Sequence, residues 1–316
     1  MSGSARRILV IKLGALGDVV QALNACGIIR RHHAADRIAL LTTAPYADLA
    51  RRSGLFDEVH LDARPGAHRI FAWLALRRYL RGGRFDRVYD LQTSDRSSFY
   101  FRLFAPGPYP EWSGIAKGCS HPHANPKRDF MHTLERQAEQ LRMAGIETAR
   151  PNTPDISFLH ADVSRFGLPA TYALLVPGGS PQRPGKRWPV ERFAAAATEL
   201  AGRGAAPVLL GVGAEAPLTG RIRALCPQAI DLAGRTDLAD LAQLARGARG
   251  ALGNDTGPMH LIAAAGTPTA VLFSGESDPA LCAPIGPKVA ILRRVPLAAL
   301  AVEEALAALR AVGGVS

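Results

Sequence analysis

The feature that most constrains the fold of this chain is the alternation of short apolar runs with helical patterns along almost its whole length. In the first half, apolar runs at 7–13, 37–42, 58–61 and 87–91 alternate with helical spacing that includes 44–53, 70–81 and 130–144. A second set of apolar runs lies at 172–176, 207–211, 228–231, 250–253 and 268–273. This order predicts an α/β fold with parallel sheets and helices on both faces.

The length of the chain indicates more than one domain, because 316 residues are many for a single hydrophobic core. We place the domains at residues 1–165 and 166–316, each doubly wound and Rossmann-like, with a final helix at 297–312 that could pack on either. Two such domains predict a ligand cleft between them, at the carboxyl ends of the strands. Residues 104–130, where the periodicity fades, are expected to form a long functional loop.

Charge and composition narrow the classes of partner. The formal net charge of +11 indicates an anionic partner, which could be nucleic acid, a membrane surface or a phosphorylated substrate. Nucleic acid is disfavoured, since only 6% of residues are aromatic and no helix-turn-helix, zinc-finger or RNA-binding signature is present. No run approaches the ~20 apolar residues of a membrane span. Four separated cysteines without a CxxC pair are typical of a reduced, cytosolic protein.

The polar turn at residues 253–260, GNDTGPMH, joins a predicted strand to a predicted helix. Thr256 suits the N-cap, Pro258 suits the first turn, and Gly257 allows a ligand to approach the backbone. Free N–H groups at such a helix start favour phosphate, although an ordinary capped turn explains the same residues.

Three further stretches of the second half could contact a nucleotide. PGGS at 177–180, followed by Lys186 before a proline, is not a P-loop, but Ser180 and Lys186 could hold a diphosphate. Glu215 follows a predicted strand, where a carboxylate either accepts from ribose hydroxyls or begins a helix. Thr236 could line a base pocket, or it could share helix capping with Asp237.

The first predicted strand ends in a similar turn, running from Lys12 to Asp18, without the GxGxxG of dinucleotide sites. Asp18 is either a first-turn carboxylate or a general base. Metal chemistry finds little support: D-x-D spacing is absent, and the loop from Cys119 to His123 suits no common zinc site.

Together, LGALGDVV at 13–20, PGGS with KRWP at 186–189, and GNDTGPMHL at 253–261 resemble the bacterial heptosyltransferases that build the inner core of lipopolysaccharide. These form glycosyltransferase family 9, with a GT-B fold, and the resemblance covers residues 8–292. It implies that Asp18 is the base and that Lys186 and Glu215 bind phosphate and ribose oxygens. It also implies a place for Thr236 near the adenine. The donor's diphosphate would lie at the turn formed by Asp255, Thr256, Gly257 and His260, and the acceptor would border Asp90 and Gln92.

The reaction implied by this resemblance is an inverting, metal-independent and cofactor-free transfer from ADP-heptose to an anionic glycolipid. Lys12, Lys117 and Arg128 are expected to help bind the acceptor. Basic residues of the first half could equally hold a cytoplasmic enzyme against the inner membrane, and the sequence leaves both uses open. Alternatives are another nucleotide-sugar transferase, an epimerase or hydrolase, or a non-catalytic nucleotide-sugar-binding module.

Overall fold

The computed structural model describes residues 5–315, which divide into two compact units, one ending at Asn152 and one beginning at Thr153. Each unit contains one six-stranded sheet whose strand pairs are all parallel. The expected α/β class with two doubly wound parallel sheets is therefore confirmed.

The sheet of the first unit has the order β3-β2-β1-β4-β5-β6. Its strands are β1 (Arg7–Ile11), β2 (Arg37–Thr42), β3 (Glu58–Leu61), β4 (Arg87–Asp90), β5 (Glu111–Gly114) and β6 (His121–Pro122). Its helices are α1 (Leu16–His32), α2 (Ala47–Arg52), α3 (Ile70–Gly82), α4 (Asp95–Arg102) and α5 (Thr133–Met143).

The central strand β1 is buried on both faces of its sheet, which explains its continuous run of apolar residues. Ile8 and Val10 belong to a buried cluster with residues of α1, whereas Leu9 and Ile11 belong to a second buried cluster with residues of α3 and α4. Successive side chains of a strand point to opposite faces, so a sheet covered on both sides requires apolar residues at every position.

The sheet of the second unit has the order β12-β11-β10-β7-β8-β9, which repeats the strand order of the first sheet. Its strands are β7 (Tyr172–Val176), β8 (Ala206–Leu209), β9 (Ile230–Asp231), β10 (Ala251–Asn254), β11 (Thr269–Phe273) and β12 (Val289–Arg293). Its helices are α6 (Val190–Gly202), α7 (Ala216–Leu225), α8 (Leu238–Gly247), α9 (Gly257–Ala264), α10 (Pro279–Cys282) and α11 (Val302–Ala311).

In each sheet the first and fourth strands are neighbours, β1 with β4 and β7 with β10. The chain winds outward in opposite directions from these pairs, which leaves a crevice at the carboxyl ends of the two strands. Such a topological switch point is where doubly wound folds bind ligands.

Three parts of the fold differ from the expectation. The loop predicted for 104–130 is wrong in part, because it contains β5 and β6. Trp112 of β5 is fully buried, and its packing holds a segment that has no strand periodicity of its own. Helix α4 and the edge strand β12 were not predicted.

The terminal helix α11 packs on α6 and β11 of the second unit.

Within residues 5–315, no helix combines the length and the apolar character that crossing a bilayer requires.

Candidate active site

The switch point of the first unit is formed by the loops that follow β1 and β4. The side-chain oxygen of Gln92 accepts a hydrogen bond from the backbone N–H of Leu13 at 2.8 Å. The ammonium of Lys12 donates to the carbonyl of Leu91 at 3.3 Å. These two contacts tie the loops to each other at the edge of the sheet.

A cavity of about 510 Å³ opens at this edge, and the carboxylate-bearing residue Asp18 is in its wall. The lining consists of Leu13, Gly14, Ala15, Asp18, Thr43, Pro45, Tyr46, Arg64 and Gln92. Asp18 is half-buried in the first turn of α1, where its carboxylate accepts from the N–H of Ala15 at 3.2 Å. Asp18 thus holds the helix start and also faces a space large enough for a ligand.

Gly14 shapes this cavity through its backbone. It has φ of +133°, and a Cβ at this position would lie 2.9 Å from the ring of Tyr46. A side chain there would both strain the backbone and displace Tyr46 from the cavity wall.

Lys12 and Asp90 are buried beside the cavity, with 5% and 0% of their surface exposed. Asp90 accepts from the N–H groups of Gln92 and Thr93 through one oxygen, at 3.1 and 3.0 Å. Burial lowers the pKa of Lys12, and it raises the pKa of Asp90 to about 6. This burial favours a supporting part for both residues, in which they position Gln92 and its loop.

Asp90 should make stability depend on pH. Its folded pKa of about 6 exceeds the ordinary 3.8, so its contribution is fully present below pH 4 and is lost as pH rises through 6. Asp90→Asn keeps the acceptor oxygen but does not titrate. We expect the free energy of unfolding of this variant, relative to wild type, to rise by roughly 2–3 kcal/mol between pH 4 and 7.5 in urea titrations. The exposed Asp95→Asn is the control, and a pH-independent difference for Asp90→Asn would contradict the assignment.

Lys117 and Arg128 lie in the segment between β5 and α5. Lys117 is exposed. The Arg128 guanidinium donates to Asp129 at 2.7 Å, while its Nε and Nη2 atoms have no hydrogen-bond partner within the described part of the chain. Lys117 thus offers an exposed cation on this segment, whereas the Arg128 side chain is only 15% exposed and is paired with Asp129. Neither residue belongs to the cavity wall that contains Asp18.

The cysteine and histidines between residues 119 and 123 contact different partners. The Cys119 thiol lies 3.8 Å from the carbonyl of Gly114, and the His123 ring bonds Glu139 at 2.8 Å. Over residues 5–315, no three His, Cys, Asp or Glu side chains are grouped so that they could hold a metal ion.

The switch point of the second unit is organised by Asn254, at the end of β10. Its amide nitrogen donates to the carbonyls of Pro177 and Gly178 at 2.8 and 3.1 Å. Its amide oxygen accepts from the N–H of Trp188 at 3.0 Å. One fully buried side chain thereby fixes both ends of the 177–188 loop against β10.

Asn254→Ala should destabilise the protein by roughly 2–3 kcal/mol, because it leaves buried backbone groups of the 177–188 loop without partners. Chemical denaturation measures this loss. Gln243→Ala, which removes a half-buried amide from α8 of the same unit, is the matched control. Equal stability of Asn254→Ala and wild type would show that the loop is not held by this side chain.

Lys186 lies in the same loop and forms an ion pair with Asp255. The ammonium lies 2.6 Å from the carboxylate, and the two side chains are only 13% and 8% exposed. The hydroxyl of Ser277 donates to the same carboxylate oxygen at 2.7 Å. A lysine held in this way is a fixed positive charge at the edge of the sheet.

Glu215 joins the loops that follow β7 and β8. Its two carboxylate oxygens accept from the N–H groups of Gly179 at 3.1 Å and Val212 at 3.0 Å. A Cβ on Gly178 would lie 2.0 Å from the Glu215 carboxylate, so this close approach requires glycine. Glu215 is thus placed at the mouth of the switch point by contacts with two loops.

Helix α9 begins at this edge with Thr256 as N-cap and Gly257 as its first residue. The Thr256 hydroxyl makes no side-chain capping bond, and within the described residues it is buried without a hydrogen-bond partner. His260 is buried one turn further along the helix.

The two remaining expected donor residues lie in other segments. The Ser180 hydroxyl donates to Gln182 at 3.0 Å. Thr236 directly precedes Asp237, whose side chain caps α8.

The structure thus brings together most of the expected donor residues at one sheet edge: Lys186, Glu215, Asp255, Thr256 and Gly257. Sequence reasoning missed Asn254, Ser277 and Tyr46. The sequence offered a signal for Asn254, because this amide residue directly follows a predicted strand within the GNDTGPMH turn that was already singled out. The contacts of Ser277 and Tyr46 depend on loops that meet only after folding.

Comparisons with known proteins bear on the family and the fold of this chain. A family model described as glycosyltransferase family 9 (heptosyltransferase) matches residues 73–306. Lipooligosaccharide heptosyltransferase 2 of Haemophilus influenzae is 31% identical over 117 residues, a match that spans 35% of this chain and only 34% of that protein. Lipooligosaccharide heptosyltransferase 2 of Haemophilus ducreyi is 22% identical over 311 residues, covering 92% of this chain and 89% of that protein.

Among solved structures, the ADP-heptose lps heptosyltransferase II of E. coli superposes with a TM-score of 0.79 at 22% identity. The superposition covers 97% of this chain and 98% of that one. At this identity the likeness shows a common fold.

Proposed function

This chain belongs to glycosyltransferase family 9, the heptosyltransferases, and we propose that it transfers a heptose from ADP-heptose to an acceptor of the lipopolysaccharide core. The observation that carries the proposal is the complementary chemistry of the two switch points. One presents a carboxylate in a cavity, and the other presents a buried lysine beside the N-terminus of a helix. A base and a diphosphate site are what glycosyl transfer from a nucleotide sugar requires.

The donor's diphosphate is proposed to bind at the start of α9. Backbone N–H groups and the helix dipole at Thr256 and Gly257 favour an anion there, and Lys186 adds a full charge. Glu215 accepts from the ribose hydroxyls, with Thr236 near the adenine. Ser180, Asp255 and His260 complete the donor site.

The acceptor is proposed to bind in the cavity that contains Asp18, next to Gln92. Arg64 in the cavity wall, with Lys117 and Arg128, meets the acidic groups of the acceptor, and Lys12 and Asp90 support the Gln92 loop. As the acceptor oxygen attacks the anomeric carbon, Asp18 takes its proton and the bond to the diphosphate breaks. The anomeric configuration inverts, and ADP leaves.

Charge that grows on the departing diphosphate is stabilised by groups already in place, Lys186 and the α9 N-terminus. We propose that these groups make a metal ion unnecessary. We also propose that the enzyme acts at the cytoplasmic face of the inner membrane, in peripheral contact with the bilayer that carries its glycolipid acceptor.

The test is a thermal-shift panel of ADP-, UDP- and GDP-sugars, followed by transfer assays with the preferred donor. ADP-heptose should raise the unfolding temperature most, and heptose should appear on a lipopolysaccharide-core acceptor. Loss of the donor in the absence of any acceptor would instead indicate an epimerase or a hydrolase. Donor binding with no product on any core acceptor would indicate a binding module.

A further inference from the structure

Helix α3 presents an apolar face to solvent. Only Leu76 and Leu80 of this helix are buried. Ile70, Phe71 and Leu74 are 65%, 88% and 50% exposed. Residues three and four apart share one face of a helix, so Leu74 continues the face that begins at Ile70 and Phe71.

Several side chains of α3 anchor this helix to the first unit. The indole N–H of Trp73 donates to the carbonyl of Gly66 at 3.1 Å, and the Arg96 guanidinium lies 5.5 Å from the centre of the Trp73 ring. Arg77 and Arg81 donate to backbone carbonyls of the segment after α4. The exposed apolar side chains are therefore held outward on a well-anchored helix.

The stretch of chain that forms this face is rich in arginine. Residues 63–85 contain six arginines and no aspartate or glutamate. The exposed Arg69 immediately precedes α3, and the exposed Arg78 lies one turn beyond Leu74 on the same side. Exposed apolar side chains with arginines in the same stretch of chain match a surface that offers negative charge above an apolar interior.

The face also lies close in the chain to the candidate acceptor cavity. Arg64, which is in the wall of that cavity, is separated from Ile70 by only a short loop. A surface bound through α3 would thus be close to the cavity entrance on the Arg64 side.

We propose that the outward face of α3, formed by Ile70, Phe71, Leu74 and Arg78, docks on an anionic phospholipid bilayer. This inference rests on the proposed function, since it assigns the membrane contact of a glycolipid-modifying enzyme to one helix. The apolar side chains enter the acyl boundary, and the arginines bind lipid phosphates.

The experiment is co-sedimentation of the full chain with vesicles of phosphatidylcholine, alone or mixed with phosphatidylglycerol. The double variant Phe71→Ser/Leu74→Ser should lose at least about tenfold in affinity for the mixed vesicles, as expected for two apolar side chains that no longer leave water. Arg78→Gln should weaken binding to the mixed vesicles only. Phe130→Ser is the matched control, because Phe130 is 82% exposed and flanks Lys127 and Arg128 in the same unit.

Unchanged binding of the double variant, an equal loss in Phe130→Ser, or no preference of wild type for the anionic vesicles would overturn the assignment. A self-association that depends on Phe71, with unchanged vesicle binding, would assign the face to a second copy of the chain and also overturn it. Transfer to a water-soluble core fragment, measured in parallel, should be equal in wild type and the double variant. Failure of wild type in that assay, with vesicle binding intact, would reject the proposed function and leave the docking surface standing.

Discussion

Asp18→Asn should lower kcat by about 10²–10⁴-fold, the usual contribution of a general base, while ADP-heptose still binds. The substitution is nearly isosteric, and the asparagine oxygen can still accept from the N–H of Ala15 that now bonds the carboxylate. The start of α1 and the cavity wall should therefore persist. What is lost is the group that removes the proton from the acceptor hydroxyl.

The measurements are turnover with saturating donor and acceptor, and donor affinity by calorimetry. Asp48→Asn is the control, since the Asp48 carboxylate is 69% exposed in the same unit and pairs with Arg52 of its own helix. Its turnover should match wild type. Near-normal turnover of Asp18→Asn would reject Asp18 as the base.

Lys186→Met should raise the Kd of ADP and of the nucleotide sugar by roughly 10–100-fold. A hydrogen bond from a charged group contributes about 1.5–3 kcal/mol, and this one would be made to a phosphate at a nearly buried position. The methionine retains the apolar stem of lysine but not its charge. Calorimetric titration with ADP measures the loss without requiring an acceptor.

Removing Lys186 also leaves the Asp255 carboxylate without its cation, which is costly for a buried charge. The double variant Lys186→Met/Asp255→Asn separates this cost from the loss of the phosphate contact. It should regain thermal stability but not nucleotide affinity. Full recovery of affinity would mean that Lys186 only neutralises Asp255. Lys288→Met, at an exposed lysine of the same unit, should bind ADP like wild type.

Much of the fold could be predicted because the buried strands are continuous apolar runs. The predicted bounds of β2, β3 and β7 agree with the structure. A strand that is covered on both faces needs apolar residues at every position, so its own sequence is enough to identify it. The short strands β5 and β6 lack such runs. β5 pairs with β4 and β6 pairs with β5, and this end of the sheet is held by the fully buried Trp112.

The same distinction between local and long-range features applies to the candidate site. Asp18, Thr256 and Gly257 could be singled out from the sequence, because each belongs to a strand-to-helix turn that a short stretch of chain defines. The burial of Lys12 and Asp90 could not be predicted, since it arises from the meeting of loops that are far apart in sequence. For the same reason the sequence suggested a phosphate contact for Lys186 but not its ion pair with Asp255.

The division of the chain near Asn152, with a complete sheet and core on each side, bears on how such proteins diversify. Substitutions that reshape the cavity around Asp18 need not disturb the packing beneath Lys186, and the reverse holds as well. With the proposed roles, substitutions in the first unit can change the acceptor while nucleotide binding by the second unit is preserved. Recombination at the junction would then exchange one preference at a time.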